Sequence, residues 1–265
     1  DEMLSKGISF SLYMTHGGTS FGHWAGANSP GFQPDVTSYD YDAPINEWGL
    51  ATPKFYELQK MMAKYNDGKK LPAVPKAPMA IIKVPEFKFT EYKPLSNGIG
   101  KAKETHAPQS FEDMDMGWGT MVYETTVPAI EGTSTLTGEF HDFAQVYVNG
   151  KYVGKIDRVK NEKSLELPAM PQGAQLTIVV EGMGRINFGR AIKDYKGIIG
   201  NVTLTTQKED CELALTPTRW NNSSIADDYQ TAVNALAMPT NKMRGLQTKA
   251  GYYRGYFNLK KVGDT

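Results

Sequence analysis

Residues 144–156, AQVYVNGKYVGKI, decide the class of fold because they join two strand patterns through one turn signal. Apolar and aromatic residues alternate with polar ones on both sides of Asn149-Gly150. An Asn-Gly pair between two alternating segments is a strong signal for a two-residue β-hairpin, since both residues accept a positive φ. The stretch therefore predicts two antiparallel strands and identifies the surrounding sequence as β structure.

Short alternating segments of the same kind recur through residues 86–210. Turn residues separate them, and their period of two is typical of strands that bury one face. Several such strands in succession predict an all-β sandwich, of the jelly-roll kind, over this range. The segments are MAIIKVPEFKFTEY, TMVYETTVP, STLTGEF, AQLTIVVEG and GNVTLTT.

Residues 1–68 carry the pattern of a βα unit. A helix end precedes Gly7, and residues 8–14 alternate apolar and polar side chains as a strand does. The glycine-rich loop HGGTSFGHWAGANSPG follows, and then a helix that Thr52 caps and Pro53 opens. The order helix, strand, rich loop, helix places the loop at the C-terminal end of the strand.

The remaining segments predict a linker and a further domain. Residues 69–85 contain 4 prolines and several lysines, which indicates an extended connector at a domain boundary. Beyond residue 210 the pattern loosens until GYYRGYFNLKK supplies another strand, so residues 211–265 are interpreted as a connector and the start of a second, truncated β domain. Cys211 is predicted to be a small core residue, and Asp227 and Asp228 are predicted to be surface acids.

Charge and composition exclude several classes of partner and cofactor. Lys plus Arg and Asp plus Glu both number 29, so no basic field exists to attract nucleic acid or an anionic membrane surface. One cysteine rules out an internal disulfide and a zinc site built on several thiolates. His16 and His23 lack a third ligand at metal spacing, and no phosphate-binding loop is present. We predict no metal and no organic cofactor.

The stretch TSYDYDAPI, residues 37–45, raises the question of whether its aspartates are catalytic. Pro44 favours an extended chain, which would place Asp40 and Asp42 on one face, about 7 Å apart, and the tyrosines on the other. Two such carboxylates resemble a catalytic couple, but aspartates beside turns more often accept backbone hydrogen bonds. We predict that Asp40 and Asp42 shape the loop.

The run LYMTHGGTSFGHWAGANSPGFQPDVTSYDYDAPINEWG resembles the end of the catalytic barrel in glycoside hydrolase family 35, the β-galactosidases. GWGTMVYETTV, AQVYVNGKYVGKIDR, GMGRINFGRAIKDYKGIIGNVTL and YYRGYFNLKK resemble the β domains that follow that barrel. The resemblance covers nearly the whole chain and is weakest around residues 90–112 and 215–245. It implies that residues 1–68 are the last βα unit of a (β/α)₈ TIM barrel.

The family hydrolyses terminal β-galactosyl residues with retention, using two glutamates about 5 to 5.5 Å apart. The resemblance places both glutamates on barrel strands before the point where this sequence starts. A whole barrel takes about 250 residues, so the chain is expected to be a fragment that is inactive alone. The implied partners are a β-galactoside and the remainder of the barrel.

The resemblance also implies roles for single residues. Tyr13, on the polar face of the predicted strand, matches a tyrosine of the substrate-binding site that lies beside the nucleophile and can hydrogen-bond it, although a tyrosine there can also simply fill the barrel layer. Tyr41 matches a tyrosine that contacts galactose, and the aspartates flanking it are not the family's catalytic acids. Phe21 and Trp24 either stack on substrate at the pocket rim or pin the loop to the barrel.

A second class of function remains open at this point. The β domains resemble modules that bind sugars without cutting them, so a non-catalytic carbohydrate-binding or scaffold portion is the alternative. A member of the family with a changed galactoside preference is also compatible with the sequence. The lack of paired cysteines is compatible with a secreted or periplasmic bacterial protein.

Overall fold

A computed structural model describes residues 1–75, 82–206, 211–215, 218–225, 233, 234, 236, 237, 241, 242 and 250–260. Strands dominate these residues, as the sequence predicts. The α-helices with described bounds are α1 (Glu2–Ser5) and α2 (Pro53–Ala63), and short 3-10 helices span Leu95–Gly98, Glu112–Met114 and Arg158–Lys160. The strands are β1 (Gly26–Asn28), β2 (Gln33–Pro34), β3 (Phe89–Pro94), β4 (Lys103–Thr105), β5 (Thr120–Val127), β6 (Ser134–His141), β7 (Phe143–Val148), β8 (Lys151–Asp157), β9 (Ser164–Leu167), β10 (Ala174–Glu181), β11 (Arg185–Ile186), β12 (Gly197–Thr206), β13 (Cys211–Ala214), β14 (Trp220–Ile225), β15 (Asn241–Lys242) and β16 (Gly251–Gly255).

The chain divides into two compact units. The first comprises Asp1–Trp24, Val36–Glu86 and Phe257–Thr265, and is called the N-terminal unit below. The second comprises Ala25–Asp35 and Phe87–Tyr256, and is called the β unit. Within the described ranges, no helix is long and apolar enough to cross a membrane.

The hairpin around Asn149-Gly150 is confirmed. Strands β7 and β8 pair antiparallel, and Val148 lies opposite Lys151 across the turn. Asn149 has φ 48° and Gly150 has φ 74°, the pair of positive values that a type I′ turn requires. The local sequence signal is therefore sufficient to specify this element.

Two antiparallel sheets of the β unit pack face to face. Their strand orders are β4-β14-β5-β10-β7-β8 and β13-β12-β6-β9. Alternate residues of both sheets are buried in one hydrophobic cluster, which makes the pair a β-sandwich. Trp220 and Tyr123 are the largest of the fully buried side chains in this core. The Trp220 indole N–H donates to the Leu215 carbonyl at 2.9 Å, so its polar atom is satisfied.

The chain on both sides of residue 211 contributes to these sheets, since β13 pairs with β12 and β14 pairs with β5. The strand predicted from GYYRGYFNLKK is present as β16, which pairs with β3 in a separate three-stranded sheet, β15-β3-β16. The domain boundaries predicted from the sequence stay predictions. The Cys211 side chain and the two acids Asp227 and Asp228 lie outside the described residues.

The N-terminal unit contains both predicted helices but not the predicted strand. Thr52 caps α2 by accepting a hydrogen bond from the Phe55 amide at 3.4 Å, and Pro53 occupies the first turn. Residues 8–14 have no strand assignment. A strand exists only through hydrogen bonds to a neighbouring strand. The segment therefore has the alternation of a strand without the ladder of one.

Candidate functional site

Two loop segments of the N-terminal unit, residues 15–20 and 37–45, build the candidate site. Backbone hydrogen bonds join them at three places: Ile45 N–H to the Thr15 carbonyl at 3.0 Å, Tyr39 N–H to the Gly18 carbonyl at 3.0 Å, and Ser20 N–H to the Thr37 carbonyl at 2.7 Å. Because the contacts are main-chain to main-chain, they hold the loop backbone without using the site's side chains.

Gly17 allows this close approach. A Cβ atom at this position would lie 1.5 Å from the Tyr39 carbonyl oxygen. No side chain fits there, so the residue that faces the Tyr39 carbonyl must be glycine for the two segments to pair. At Gly17, therefore, the loop needs a glycine because the Tyr39 backbone lies too close for any side chain.

The segment from Asp40 to Ala43 is a tight turn, and the expectation of an extended chain here is wrong. The Ala43 amide donates to the Asp40 carbonyl at 2.9 Å, and Tyr41 and Asp42 have φ of 46° and 56°. Positive φ at both central residues is the signature of a type I′ turn. Pro44 restrains only Ala43, so its effect does not reach the turn residues themselves.

Both aspartates of the turn have partners. Asp40 Oδ1 accepts a hydrogen bond from the Ala43 amide at 3.2 Å, which supports the turn from the side-chain side. Asp42 Oδ2 lies 2.6 Å from Lys54 Nζ on helix α2, an ion pair that is largely exposed. Such contacts are what a loop-shaping role requires, and that role stays a prediction for both residues.

The turn forms one wall of a cleft of about 470 Å³. Tyr13 and Tyr41, the two predicted substrate contacts, both line it and are 89% and 71% exposed. Tyr39 meets Tyr41 edge to face with ring centroids 4.8 Å apart, which restrains the Tyr41 ring. The other lining residues are Leu12, Met14, Tyr39, Asp40, Asp42, Ala43, Pro44, Lys54 and Leu58.

The predicted rim residues Phe21 and Trp24 do not line this cleft. Each is 73% exposed, and the Trp24 amide donates to the Phe21 carbonyl at 3.1 Å in a local turn. They belong to the same long loop as the rest of the site. Their role at a pocket rim stays a prediction.

The cleft has the chemistry of a binding surface. Two phenols supply hydrogen-bond donors and acceptors together with flat rings, and Leu12 and Leu58 supply apolar surface. Its carboxylates belong to Asp40, which accepts from the Ala43 amide, and Asp42, which pairs with Lys54. Within the described part of the chain, no group of three or more His, Cys, Asp or Glu side chains is arranged to hold a metal ion.

The β unit contains a buried ion cluster that the sequence does not predict. Lys196 Nζ lies 2.6 Å from Asp142 Oδ2 and 2.9 Å from Asp194 Oδ2, and all three side chains are at most 1% exposed. Arg158 Nη1 reaches the Oδ1 atoms of the same two aspartates at 2.7 and 2.8 Å. Burial opposes the ionisation of Asp194, but hydrogen bonding and charge from Lys196, with the Ile186 amide and Arg158, hold the pKa of Asp194 below its usual value.

The sequence carries only a weak indication that these charged residues are buried together. Lys196 and Asp142 are separated by 54 residues, and single charged residues between apolar ones look like ordinary surface positions. The run RAIKDYKG carries one acid and two lysines without a period that indicates burial. Only the folded arrangement shows that the charges are paired inside the protein.

Comparison with known proteins gives consistent matches. Residues 1–65 match the model of the family described as "Glycosyl hydrolases family 35", and residues 108–211 match the model described as "Beta-galactosidase, first all-beta domain". Both matches fall on segments that carry the family resemblance in the sequence. The family 35 match comes first along the chain and the all-β match follows it.

Individual relatives of the chain are named "Beta-galactosidase", as the second family model is. The chain is 36% identical over 212 residues to "Beta-galactosidase" of Bos taurus, which covers 77% of this chain and 32% of that protein. It is 35% identical over 218 residues to the protein of that name from Homo sapiens, with 77% and 31% covered. For the Xanthomonas manihotis protein the figures are 34% over 212 residues, 78% and 35%. The chain spans about a third of the length of the curated relatives it matches.

Proposed function

The chain belongs to glycoside hydrolase family 35, and we propose that it is the C-terminal portion of a retaining exo-β-galactosidase. The full-length parent would hydrolyse terminal, non-reducing β-D-galactosyl residues of glycans or oligosaccharides. The observation that carries the proposal is that Tyr13 and Tyr41, taken from opposite ends of the family-matched loop, line one cleft. The names of the relatives support the same substrate class.

The proposed architecture follows the two matched segments. Residues 1–68 are the last βα unit of a (β/α)₈ barrel, in which residues 8–14 become a strand once neighbouring strands are present. The two sheets of the β unit form a jelly-roll-like sandwich. Active sites of such barrels are built at the C-terminal ends of the strands, where Tyr13 and the glycine-rich loop are located in this assignment.

Retaining hydrolysis of a galactoside needs two carboxyl groups, and we propose that both lie outside this chain. In a retaining glycosidase one carboxylate attacks the anomeric carbon while a carboxylic acid protonates the leaving oxygen, and the two lie about 5 to 5.5 Å apart. We assign both to glutamates on earlier barrel strands of the full-length parent. No metal or organic cofactor takes part in this proposal.

This chain contributes the groups that hold the reacting partners. The Tyr13 phenol donates a hydrogen bond to the nucleophilic carboxylate, which stabilises its charged form before attack and fixes its orientation. Tyr41 contacts the galactosyl group, and its ring is held in place by Tyr39. Asp40 fixes the turn that presents Tyr41, while the Asp42 ion pair with Lys54 ties the turn to helix α2.

The stereochemical course tests the proposed mechanism. The full-length parent is mixed with an aryl β-galactoside, and the first-formed anomer of galactose is followed by proton NMR before mutarotation. Retention predicts β-galactose as the first product. Initial release of α-galactose would show an inverting enzyme and overturn the assignment of a covalent intermediate.

A carbohydrate-binding or scaffold role is the second candidate, and one observation favours it. The outward face of the six-stranded sheet carries a groove of about 500 Å³ whose lining includes Phe143, Gln145 and Tyr147. The Tyr147 hydroxyl donates to Gln145 Oε1 at 2.8 Å, which leaves the Gln145 amide NH₂ as a donor toward the groove. Aromatic rings supply flat apolar surface for a pyranose face, and amide donors suit its hydroxyl groups.

Calorimetric titration of galactose into residues 1–265 distinguishes the two candidates for this face. The whole chain is used because β14 lies between β4 and β5, so a protein shortened to residues 86–210 would lose an interior strand. Saturable binding that Tyr147→Ala abolishes would support the binding role. Absence of binding would leave the β unit as a support for the barrel.

We also propose binding partners and a cellular location for the full-length parent. The partners are a β-galactoside and the rest of the catalytic barrel, with no nucleic acid and no membrane among them. The proposed location is secreted or periplasmic. Detecting the full-length parent in the periplasmic or culture fraction, and not with a cytoplasmic marker enzyme, is the expected result.

A further inference from the structure

The turn at Tyr41 holds two residues in a strained conformation. Tyr41 and Asp42 have φ of 46° and 56°, and neither is glycine. A positive φ is uncommon for a residue with a side chain and is an outlier for a bulky aromatic residue. Strain of this kind persists only where surrounding contacts hold it, and it is concentrated at functional sites. The turn therefore needs contacts that offset its strain.

The hairpin between β7 and β8 contains the same type of turn with residues better suited to it. Its central residues are Asn149 and Gly150, with φ of 48° and 74°. Glycine adopts positive φ as readily as negative φ, and asparagine tolerates it better than most residues. At the candidate site the same two positions are filled by Tyr41 and Asp42. The sequence thus places a tyrosine that lines the cleft where the backbone conformation disfavours it.

Lys54 contacts this turn through both the main chain and the side chain of Asp42. Its Nζ donates to the Asp42 carbonyl at 2.5 Å and lies 2.6 Å from Asp42 Oδ2. An exposed ion pair alone contributes little to stability, but a hydrogen bond from a charged donor to a main-chain carbonyl also fixes the direction of that carbonyl. Two contacts from one ammonium to one residue therefore restrain the backbone of Asp42.

Lys54 lies where a helix does not favour a cation. It is the second residue of α2, whose first turn contains no acidic residue. The helix dipole places partial positive charge at this end, so a lysine here weakens the helix slightly. The N-terminus of α2 is itself fixed beside the turn, because the Thr52 amide and hydroxyl both donate to the Pro44 carbonyl, at 2.9 and 2.8 Å. Contact with Asp42, and not helix stability, explains a lysine at this position.

We propose that Lys54 is a positioning residue of the proposed β-galactosidase: by binding the carbonyl and the carboxylate of Asp42, it holds the strained turn that presents Tyr41 to the galactosyl group. The inference rests on the proposed function for its substrate, but the holding of the turn does not. Lys54, Asp42 and Tyr41 belong to the N-terminal unit and line one cleft. Because Lys54 acts through the turn, its loss weakens substrate binding more than the chemical step.

The expected size follows from the fraction of molecules in which the turn is formed. When only that fraction is competent to bind, the apparent dissociation constant rises by its inverse. A hydrogen bond from a charged donor is strong enough to shift such an equilibrium several-fold. If loss of both contacts leaves the turn formed in about one molecule in five, KM rises about fivefold. The value of kcat should change less than about twofold, because saturating substrate selects the formed turn.

The kinetic experiment compares variants of the full-length parent on an aryl β-galactoside. Lys54→Met removes the ammonium and both contacts, whereas Lys54→Arg keeps a cationic donor and should recover most of the KM. Lys60→Met is the matched control, because Lys60 lies on the same helix and pairs with Glu57 at 2.7 Å with its side chain 73% exposed. A rise in KM of about fivefold for Lys54→Met alone is the result expected. A Lys54→Met variant whose KM equals the wild-type value would overturn the proposal.

A glycine variant separates holding of the turn from any other effect of Lys54. Asp42→Gly relieves the strain at this position, because glycine adopts the positive φ without a steric cost. The turn then depends less on Lys54, so adding Lys54→Met to Asp42→Gly should raise KM by less than about twofold. A rise of about fivefold in both backgrounds would show that Lys54 acts independently of Asp42, and the positioning role would be wrong.

Hydrogen exchange in residues 1–265 provides a readout that needs no activity. The Ala43 amide closes the turn by donating to the Asp40 carbonyl at 2.9 Å. In Lys54→Met this amide should exchange faster, while the amides of β10 keep their protection. If the parent does not cleave a β-galactoside, the proposed function fails while this measurement still decides whether Lys54 holds the turn. Unchanged exchange at the Ala43 amide would refute that role.

Discussion

Replacing Lys196 with methionine tests the energetics of the buried cluster. Lys196, Asp142 and Asp194 are at most 1% exposed, and the Lys196 ammonium contacts both carboxylates. Methionine is close in length but carries no charge, so the variant leaves two buried carboxylates with Arg158 as their remaining cationic partner. Removal of one partner from a buried ion pair typically costs about 3 to 5 kcal/mol.

For a folded unit of this size, that loss corresponds to a fall in Tm of roughly 6 to 20 °C. Urea unfolding of the chain, followed by tryptophan fluorescence, measures the loss, since Trp220 lies in the core of the same sandwich. Lys155→Met is the control, because Lys155 pairs with Asp157 at 3.3 Å with its side chain 38% exposed. Such a pair contributes at most about 1 kcal/mol.

We predict that Lys196→Met lowers the free energy of unfolding by more than Lys155→Met does. A loss for Lys196→Met below about 1 kcal/mol, no larger than that of Lys155→Met, would refute the reasoning that the buried charges depend on one another.

Three further predictions concern single residues. Gly197 has φ 95°, and Gly197→Ala would place a Cβ 2.3 Å from the Tyr123 hydroxyl. Gly200 has φ 74°, and a Cβ there meets nothing within 4 Å, so Gly200→Ala is the control. Urea unfolding should show that Gly197→Ala lowers the free energy of unfolding by about 1 to 3 kcal/mol more than Gly200→Ala does. Because the pKa of Asp194 is lowered in the fold, its stabilisation is present above the unfolded pKa of about 4 and is lost as pH falls below it. Asp194→Asn should therefore be less stable at about pH 7 and show a flatter decline in urea midpoint between about pH 5 and about pH 3. Tyr41→Phe in the full-length parent should lower kcat/KM about tenfold through one lost hydrogen bond, with unfolding unchanged, and an unaltered kcat/KM would remove Tyr41 from the site.

The elements that the sequence predicts correctly are those with local causes. The β7–β8 hairpin depends on Asn149 and Gly150 accepting positive φ, and helix α2 depends on the Thr52 cap and Pro53. Each signal lies within a few residues of the element it specifies. No distant partner is needed for the prediction.

The elements that the sequence does not predict depend on partners far along the chain. Residues 8–14 alternate as a strand does, but alternation states which face is apolar and not whether a neighbouring strand is present. The pairing of Lys196 with Asp142 spans 54 residues and leaves no period in the sequence. The same holds for the contacts of Phe32 with Arg158 and Lys196.

The candidate site contains features that the sequence predicts and features that it does not. Resemblance assigns Tyr13 and Tyr41 to the substrate, and the structure places them in one cleft. The turn at Tyr41 does not follow from the sequence pattern, because the restraint from Pro44 acts on Ala43 and not on the residues before it. The two positive φ values at Tyr41 and Asp42 depend instead on the hydrogen bonds from Ala43 to Asp40.

The central claim is that the chain carries substrate contacts of a β-galactosidase whose catalytic acids lie elsewhere in the parent. The most direct test measures galactose release from a chromogenic β-galactoside by the full-length parent and by residues 1–265, at equal concentration and in the same buffer. We expect turnover by the parent and none above background by the chain alone. Turnover by the isolated chain at a rate near that of the parent, or no turnover by the parent, would contradict it.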